Sequence, residues 1–240
     1  MTDVRSYTTN NVLGRIRGSG TTGENVMFLA HWDHFGICRP PGAPDRICNG
    51  AVDNASGVAM LIEVAGRLAQ GPRPVRDILV MATTGEEEGL LGAEYFARHP
   101  VVPLRSIVAA INLDTVAIAP AGAPVAILNR SVPALNAQVE AAATSLGRRM
   151  DAAHEADAMA DRQDGWALAS HGVPAIMVGG AFASMARLNV FLQGRYHQPS
   201  DQADDRIEMG GATEDANLLV ALGRRLADPA VYPSPQRTAE

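Results

Sequence analysis

A chain of 240 residues, 47% hydrophobic and 19% charged, has room for one α/β domain with a sizeable core and little left for a second. A formal net charge of −6 leaves no basic stripe to neutralise phosphates, which argues against nucleic acid as a partner. No apolar run approaches the ~20 residues a membrane span needs, and the polar start Met1-Thr2-Asp3-Val4 lacks the apolar core of a signal peptide.

In chain order, residues 1–10 are polar and read as a loose tail. Asn11 to Gly18 alternates as a short strand and ends in a Gly-rich turn, Gly18 to Gly23, with no lysine and no following helix pattern to make it a phosphate loop. Val26 to Ala30 is a strand that runs straight into His31-Trp32-Asp33-His34. The stretch from Ile37 to Gly50, with Pro40, Pro41, Gly42 and Pro44, reads as irregular. It holds Cys38 and Cys48, which could pair but are not spaced as a zinc knuckle. Asp53 or Asn54 is placed to cap a helix whose buried stripe would be Val58, Leu61, Ile62, Ala65, Leu68 and Ala69, stopping near Gly71-Pro72.

Ile78 to Ala82 is a buried strand followed at once by Glu86-Glu87-Glu88, and Leu90 to Ala97 makes a short helix. Ser106 to Asp114 is another apolar strand that ends in an acid, and Val125 to Leu128 a further one. Ser131 and Pro133 open a helix with Leu135, Val139, Ala142 and Leu146 inward, closed by Gly147. Residues 148–165 have no clear pattern, Gly172 to Val178 is the last strand, and 179–210 reads as loop. A final helix turns Leu218, Leu219, Leu222 and Leu226 inward, and the Pro-rich segment from Asp228 reads as disordered. Strands alternating with helices predict a three-layer αβα sandwich with a mostly parallel, mixed central sheet. One domain, 1–240, accounts for the chain, with 1–10 and 228–240 as loose tails.

Open α/β sheets do their chemistry beyond the carboxyl ends of the strands. Four such ends and one late loop offer His31, Asp53, Glu86 or Glu87, Asp114 and His197. Taken singly, each has an ordinary structural reading: a satisfied core histidine, a helix cap, a turn acid, a surface residue. Taken together, crowded carboxylates raise one another's pKa unless a cation resolves the repulsion, and imidazole with carboxylate suits zinc, with Co²⁺ or Mn²⁺ as substitutes. Asp33, two residues beyond His31, is placed to accept that histidine's other ring N–H.

The motifs His31-Trp32-Asp33-His34-Phe35-Gly36, Gly50 to Gly57, Glu86-Glu87-Glu88-Gly89-Leu90-Leu91-Gly92, Ile111 to Asp114 and Tyr196-His197-Gln198-Pro199-Ser200-Asp201 occur in that order. Together they closely resemble the co-catalytic two-zinc aminopeptidases, a family that includes bacterial leucyl aminopeptidases and glutamate carboxypeptidases. The resemblance spans Asn11 to Leu226. It implies two Zn²⁺ bridged by Asp53, with His31 and Asp114 completing one site and Glu87 and His197 the other. It further implies Glu86 as general base, Glu88 as spacer, and a peptide or aminoacyl substrate attacked by a metal-activated water. The third glutamate makes a one-residue slip in that register conceivable. Asp33 and Tyr196 join Glu86 as expected catalytic residues, Tyr196 either as oxyanion donor or as packing. Arg162 and Asp164 are expected to border the substrate. Gln163 and Gly165 stand where relatives often carry serine and histidine, which leaves side-chain preference open, and Thr115 replaces a common methionine, read as a packing change. Amino- and carboxypeptidase action both stay open, since Arg162 and Arg195 each neighbour a motif. So does a one-zinc, glutaminyl-cyclase-like acyltransferase, disfavoured by the complete ligand set, and a non-catalytic interaction domain, which would be expected to have lost ligands. As written the chain is expected in the cytoplasm, or exported if a leader precedes it. Nothing in the pattern sets the oligomeric state.

Overall fold

The computed structural model describes residues 6–235. Among the described residues eight strands form: β1 (Val12–Ile16), β2 (Asn25–His31), β3 (Gly36–Ile37), β4 (Ile47–Cys48), β5 (Asp77–Thr83), β6 (Ile107–Asn112), β7 (Ala126–Leu128) and β8 (Ala175–Gly179). Six α-helices accompany them: α1 (Ser56–Gln70), α2 (Leu91–Arg98), α3 (Pro133–Ser145), α4 (Asp164–Ser170), α5 (Met185–Gly194) and α6 (Met209–Leu226). Six strands make one sheet in the order β1-β5-β2-β6-β8-β7, and β3 pairs with β4 separately. The four central strands are parallel, while β1 and β7 close the edges antiparallel.

The period-2 alternation of β2 separates the two faces. Val26, Phe28 and Ala30 pack with α1, α3 and α6, for which Met60, Leu61, Leu135, Val139, Leu218 and Leu222 supply the core. Met27 and Leu29 pack the other way, with Phe96 and Ala97 of α2 and Leu168 of α4. The result is the αβα sandwich, with every central strand buried on both faces, as parallel strands require. A third cluster, including Phe182, Leu188 and Phe191, sits beside α5 at one side of the sheet's carboxyl edge.

Several local expectations change. In α1 the inward positions are Gly57, Met60, Leu61, Val64 and Leu68, while Ile62 is 67% exposed. The true stripe runs through Met60 and Val64, one register away from Ile62 and Ala69. In α3, Ala143 takes the buried place expected of Leu146, and no side chain caps the amino end. The 179–210 stretch holds α5, whose helical pattern is masked because its inward residues face a loop cluster rather than the sheet. The Pro-rich loop contains the β3–β4 hairpin, and Cys38 and Cys48 are disulfide-bonded.

The carboxyl tail is packed as far as it is described. Tyr232 is 1% exposed within the α1–α3–α6 core. The buried Arg76 guanidinium donates to the carbonyls of Leu226 (2.7 Å) and Tyr232 (2.6 Å) and pairs with Glu24 at 2.7 Å. One buried cation thus ties the tail to the start of β5, overriding what the prolines suggest. Residues 236–240, also expected to be loose, lie outside the described residues, as do residues 1–5.

Candidate metal centre

Because β5, β2, β6 and β8 are parallel, their carboxyl ends share one edge of the sheet. His31 is the last residue of β2, its ring buried in line with Thr83 at the end of β5. Its Nδ1 lies 3.1 Å from the Asp33 carbonyl oxygen. With that nitrogen as N–H donor, the Nε2 lone pair points into the site, where Asp53 Oδ1 lies at 3.1 Å and Asp114 Oδ2 at 3.7 Å.

Asp33 therefore orients His31 through its backbone, its carboxylate standing 3.8 Å from the ring. The carboxylate instead accepts the backbone N–H of Glu86 at 3.2 Å and of Glu87 at 3.4 Å. That fixes the glutamate loop, which folds back on itself through Gly89 N–H to the Glu86 carbonyl and Leu91 N–H to the Gly85 carbonyl, each 2.9 Å. Asp33 lies at the site, but its carboxylate serves this loop rather than the histidine ring expected of it.

Asp53 sits in an irregular turn, Ala51–Ala55, ahead of α1. Asp201 is fully buried and accepts from Val52 N–H with both oxygens and from Asp53 N–H, all at 3.1 Å. Asn54 closes the turn, its Oδ1 accepting from Gly57 N–H at 2.9 Å and its amide donating to the Leu113 carbonyl at 2.9 Å. Of the two candidate caps, Asn54 is the one that reaches the helix, leaving the Asp53 carboxylate free for the site. Gly50 opens the turn at φ +65°, and a Cβ there would stand 2.3 Å from the Asp53 carbonyl oxygen and 2.6 Å from the His34 ring. Only glycine fits.

The second oxygen of Asp53, Oδ2, faces His197 Nε2 at 3.3 Å, and Glu87 Oε2 lies 3.0 Å from the same nitrogen. His34, which the motif spacing leaves without a role, bonds the other oxygen of Glu87 through Nδ1. It lies three residues beyond His31, and nothing in that spacing distinguishes an orienting partner from a ligand. Asp114 follows β6 by two residues, and Thr115, at φ +51°, donates its hydroxyl to Asp114 Oδ1 at 3.0 Å. The threonine thus serves the site directly, more than the packing change expected of it.

These donors could hold cations. His31 Nε2, Asp53 Oδ2 and His197 Nε2 are buried and lack a hydrogen-bond partner, although oppositely charged atoms lie close by. Buried polar atoms without a hydrogen-bond partner call for an explanation, and an ion among these ring nitrogens and carboxylate oxygens is one. Donor atoms from His31, Glu86 and Asp114 lie within 4.8 Å of one another, as do those from His34, Asp53 and Glu87. Between His34 and His197 as the second imidazole, His197 has the better claim, because its Nε2 faces both Asp53 and Glu87 while His34 Nδ1 is occupied. Each pair of like charges ~4 Å apart costs about 4 kcal/mol at an effective dielectric of ~20, so Asp53, Glu86, Glu87 and Asp114 cannot all ionise together unaided.

Without a cation the cluster draws protons instead. Burial, followed by the Asp114 charge, lifts the Glu86 carboxyl to about 9. Burial alone would lower His197, yet the Asp53 and Glu87 carboxylates outweigh it and raise the imidazole to about 9. Against the cost of burial, His197 and His31 hold Asp53 below the usual carboxylate range.

Tyr196 stacks on His197 with ring centroids 3.6 Å apart. It lines a cleft together with Asp53, Glu86 and Asp114, the apolar Met177, Phe182, Leu188 and Leu192, and Arg162. Arg195 is committed elsewhere, donating to the carbonyls of Ser200 (3.0 Å) and Gln202 (2.8 Å). Asp164 stands apart from the cleft. It is fully buried, accepts from the Thr83 hydroxyl, and has its carboxyl pushed up to about 7 by burial.

The order and spacing of these groups match a known family: the model for Peptidase family M28 aligns with residues 11–222. The chain belongs to this family. Among curated relatives, a vacuolar membrane protease of Candida dubliniensis is 33% identical over 97 residues, covering 40% of this chain and 9% of its own length. A probable zinc metalloprotease of Pyrenophora tritici-repentis is 45% identical over 67 residues, 28% of this chain and 15% of that one. The fold resembles an aminopeptidase from Aneurinibacillus sp. strain AM-1, with a TM-score of 0.68 and 19% identity, over 95% of this chain and 50% of that one. It also resembles glutaminyl cyclase from Porphyromonas gingivalis, with a TM-score of 0.60 and 21% identity, over 90% and 75%. The chain therefore spans a small part of the first two relatives and half of the aminopeptidase.

Proposed function

We propose that this M28 domain is a two-metal exopeptidase that releases amino-terminal residues. His31, Asp53 and Asp114 would hold one Zn²⁺, and Asp53, Glu87 and His197 the other. The observation that carries this reading is Asp53 itself: its two oxygens face two different unpartnered imidazole nitrogens, His31 Nε2 at 3.1 Å and His197 Nε2 at 3.3 Å. Bound there, the cations would supply an activated water and a polarised carbonyl.

The chain's own residues supply the rest. Glu86 faces the cleft and does not share His197 with Glu87, which makes it the base that takes a proton from the attacking water and returns it to the leaving amine. Burial and the charges of Asp53 and Glu87 raise Tyr196, keeping its hydroxyl protonated to donate to a developing oxyanion. Asp33 and His34 fix the two glutamates from behind, and Asp164 supports the strand ends through Thr83. The apolar lining suits an uncharged side chain, and Arg162 borders the substrate. The choice of the amino end is supported by the fold shared with the Aneurinibacillus aminopeptidase.

The test is hydrolysis by the zinc-loaded chain of leucyl and alanyl amides with a free or an acetylated α-amine. Cleavage of the free amines that is abolished by acetylation is expected. Release from the carboxyl end would contradict the proposed direction. Cyclisation of a glutaminyl peptide without hydrolysis would favour an acyltransferase, in line with the fold shared with the Porphyromonas glutaminyl cyclase.

A further inference from the structure

His197 reaches the site differently from the other proposed ligands. It lies between α5 and α6 on an irregular segment and sits at φ +57°, a left-handed conformation that is unfavourable for a non-glycine residue. Such a conformation persists only where the surroundings enforce it.

The β3–β4 hairpin supplies those surroundings. Cys48 Sγ lies 3.3 Å from the His197 carbonyl oxygen. The Arg39 guanidinium donates to the side-chain carbonyl of Gln198, and the Gln202 amide reaches Asp45 at 3.5 Å. The Phe35 ring, at the foot of the hairpin, meets the His197 ring edge-on at 4.5 Å. The hairpin itself is only two residues per strand, closed by the Cys38–Cys48 disulfide and by Cys38 N–H to the Arg46 carbonyl at 2.9 Å. Two-residue strands are not stable alone, so the covalent link is what holds this arm in shape.

We propose that the disulfide-closed hairpin is a strap that positions His197, with Cys38, Cys48 and Arg39 as positioning residues for the Glu87–His197 metal site. The proposal rests on the ligand assignment above. It predicts that opening the strap releases residues 196–200, with Asp201 still bonded to the Asp53 turn, and weakens one metal site while sparing the other, whose ligands His31 and Asp114 hang from β2 and β6.

The experiment compares the wild-type chain with Cys38→Ser/Cys48→Ser and with Arg39→Ala, which leaves the disulfide intact. Amide exchange of residues 196–202 is followed in the zinc-loaded and zinc-free full chains, and zinc affinity is measured by competition with a chelator. In the double variant, loss of protection confined to 196–200 is expected, with one zinc equivalent weakened roughly 10- to 100-fold and the other unchanged. Arg39→Ala should show the same pattern in smaller measure. Unchanged exchange at 196–200 in both variants would overturn the strap, as would equal weakening of both zinc equivalents. A wild-type chain binding fewer than two zincs would contradict the ligand assignment, whereas the zinc-free exchange comparison would still decide the strap.

Discussion

Glu86 and Glu87 are adjacent in sequence and opposite in circumstance. Glu87 lies between His197 and His34, and these two imidazoles lower its pKa against the penalty of burial. Glu86 has no such partner, and burial beside Asp114 raises it to about 9. Neighbouring carboxylates pushed apart by their surroundings mark different roles. Glu86→Gln is expected to keep the full zinc content and lose about 10²- to 10⁴-fold in kcat. Glu87→Gln is expected to lose one zinc equivalent. Parallel zinc analysis and steady-state kinetics separate the two, and a fully active Glu86→Gln would move the base to another residue. At this scale the residues that gather at the sheet's carboxyl edge were legible in the sequence, because strand ends announce themselves by apolar runs that stop at an acid or a histidine. The orienting bonds were not: that Asp33 serves the glutamate loop and Asp201 the Asp53 turn depends on contacts across 53 and 148 residues of chain.

At the scale of elements, the strands were readable because buried parallel strands are short apolar blocks. Helix faces were less so. A stripe through Met60 and Val64 and one through Ile62 and Ala69 are both apolar, and only the sheet beneath decides between them. The tail from Asp228 misled most. Its prolines suggested disorder, but Tyr232 fills the core and Arg76 must find its acceptors there. Removing residues 228–240 strips a buried aromatic, worth about 3–5 kcal/mol, and leaves a buried arginine short of partners. The truncated chain is expected to melt at least ~6 °C lower, taking about 2 °C per kcal/mol for a domain of this size. An unchanged melting temperature would mean that the tail is not part of the core.

For the whole molecule, the metal centre makes stability depend on pH with a sign opposite to that of an ordinary acid-labile protein. In the zinc-free chain, Glu86 and His197 are raised to about 9 and Asp164 to about 7. Each therefore holds a proton in the folded chain at pH values where it has released it in the unfolded one. Folded stability falls wherever the folded state binds more protons and pH rises. The contribution of His197 is fully present below pH ~6.5 and lost as pH passes 9. Glu86 and Asp164 likewise disfavour folding increasingly from about pH 4 up to their raised values. The zinc-free protein is expected to melt at a lower temperature at pH 9 than at pH 6, and added zinc should narrow that gap by replacing the protons. A melting temperature that rises from pH 6 to pH 9 without metal would contradict this picture of the cluster.

Whether one carboxylate, Asp53, joins two cation sites is tested most directly by zinc content. After dialysis of the loaded chain against metal-free buffer, mass spectrometry should find two zincs per chain, falling below one in Asp53→Ala. One zinc in the wild-type chain, or two retained in Asp53→Ala, would contradict a shared bridge.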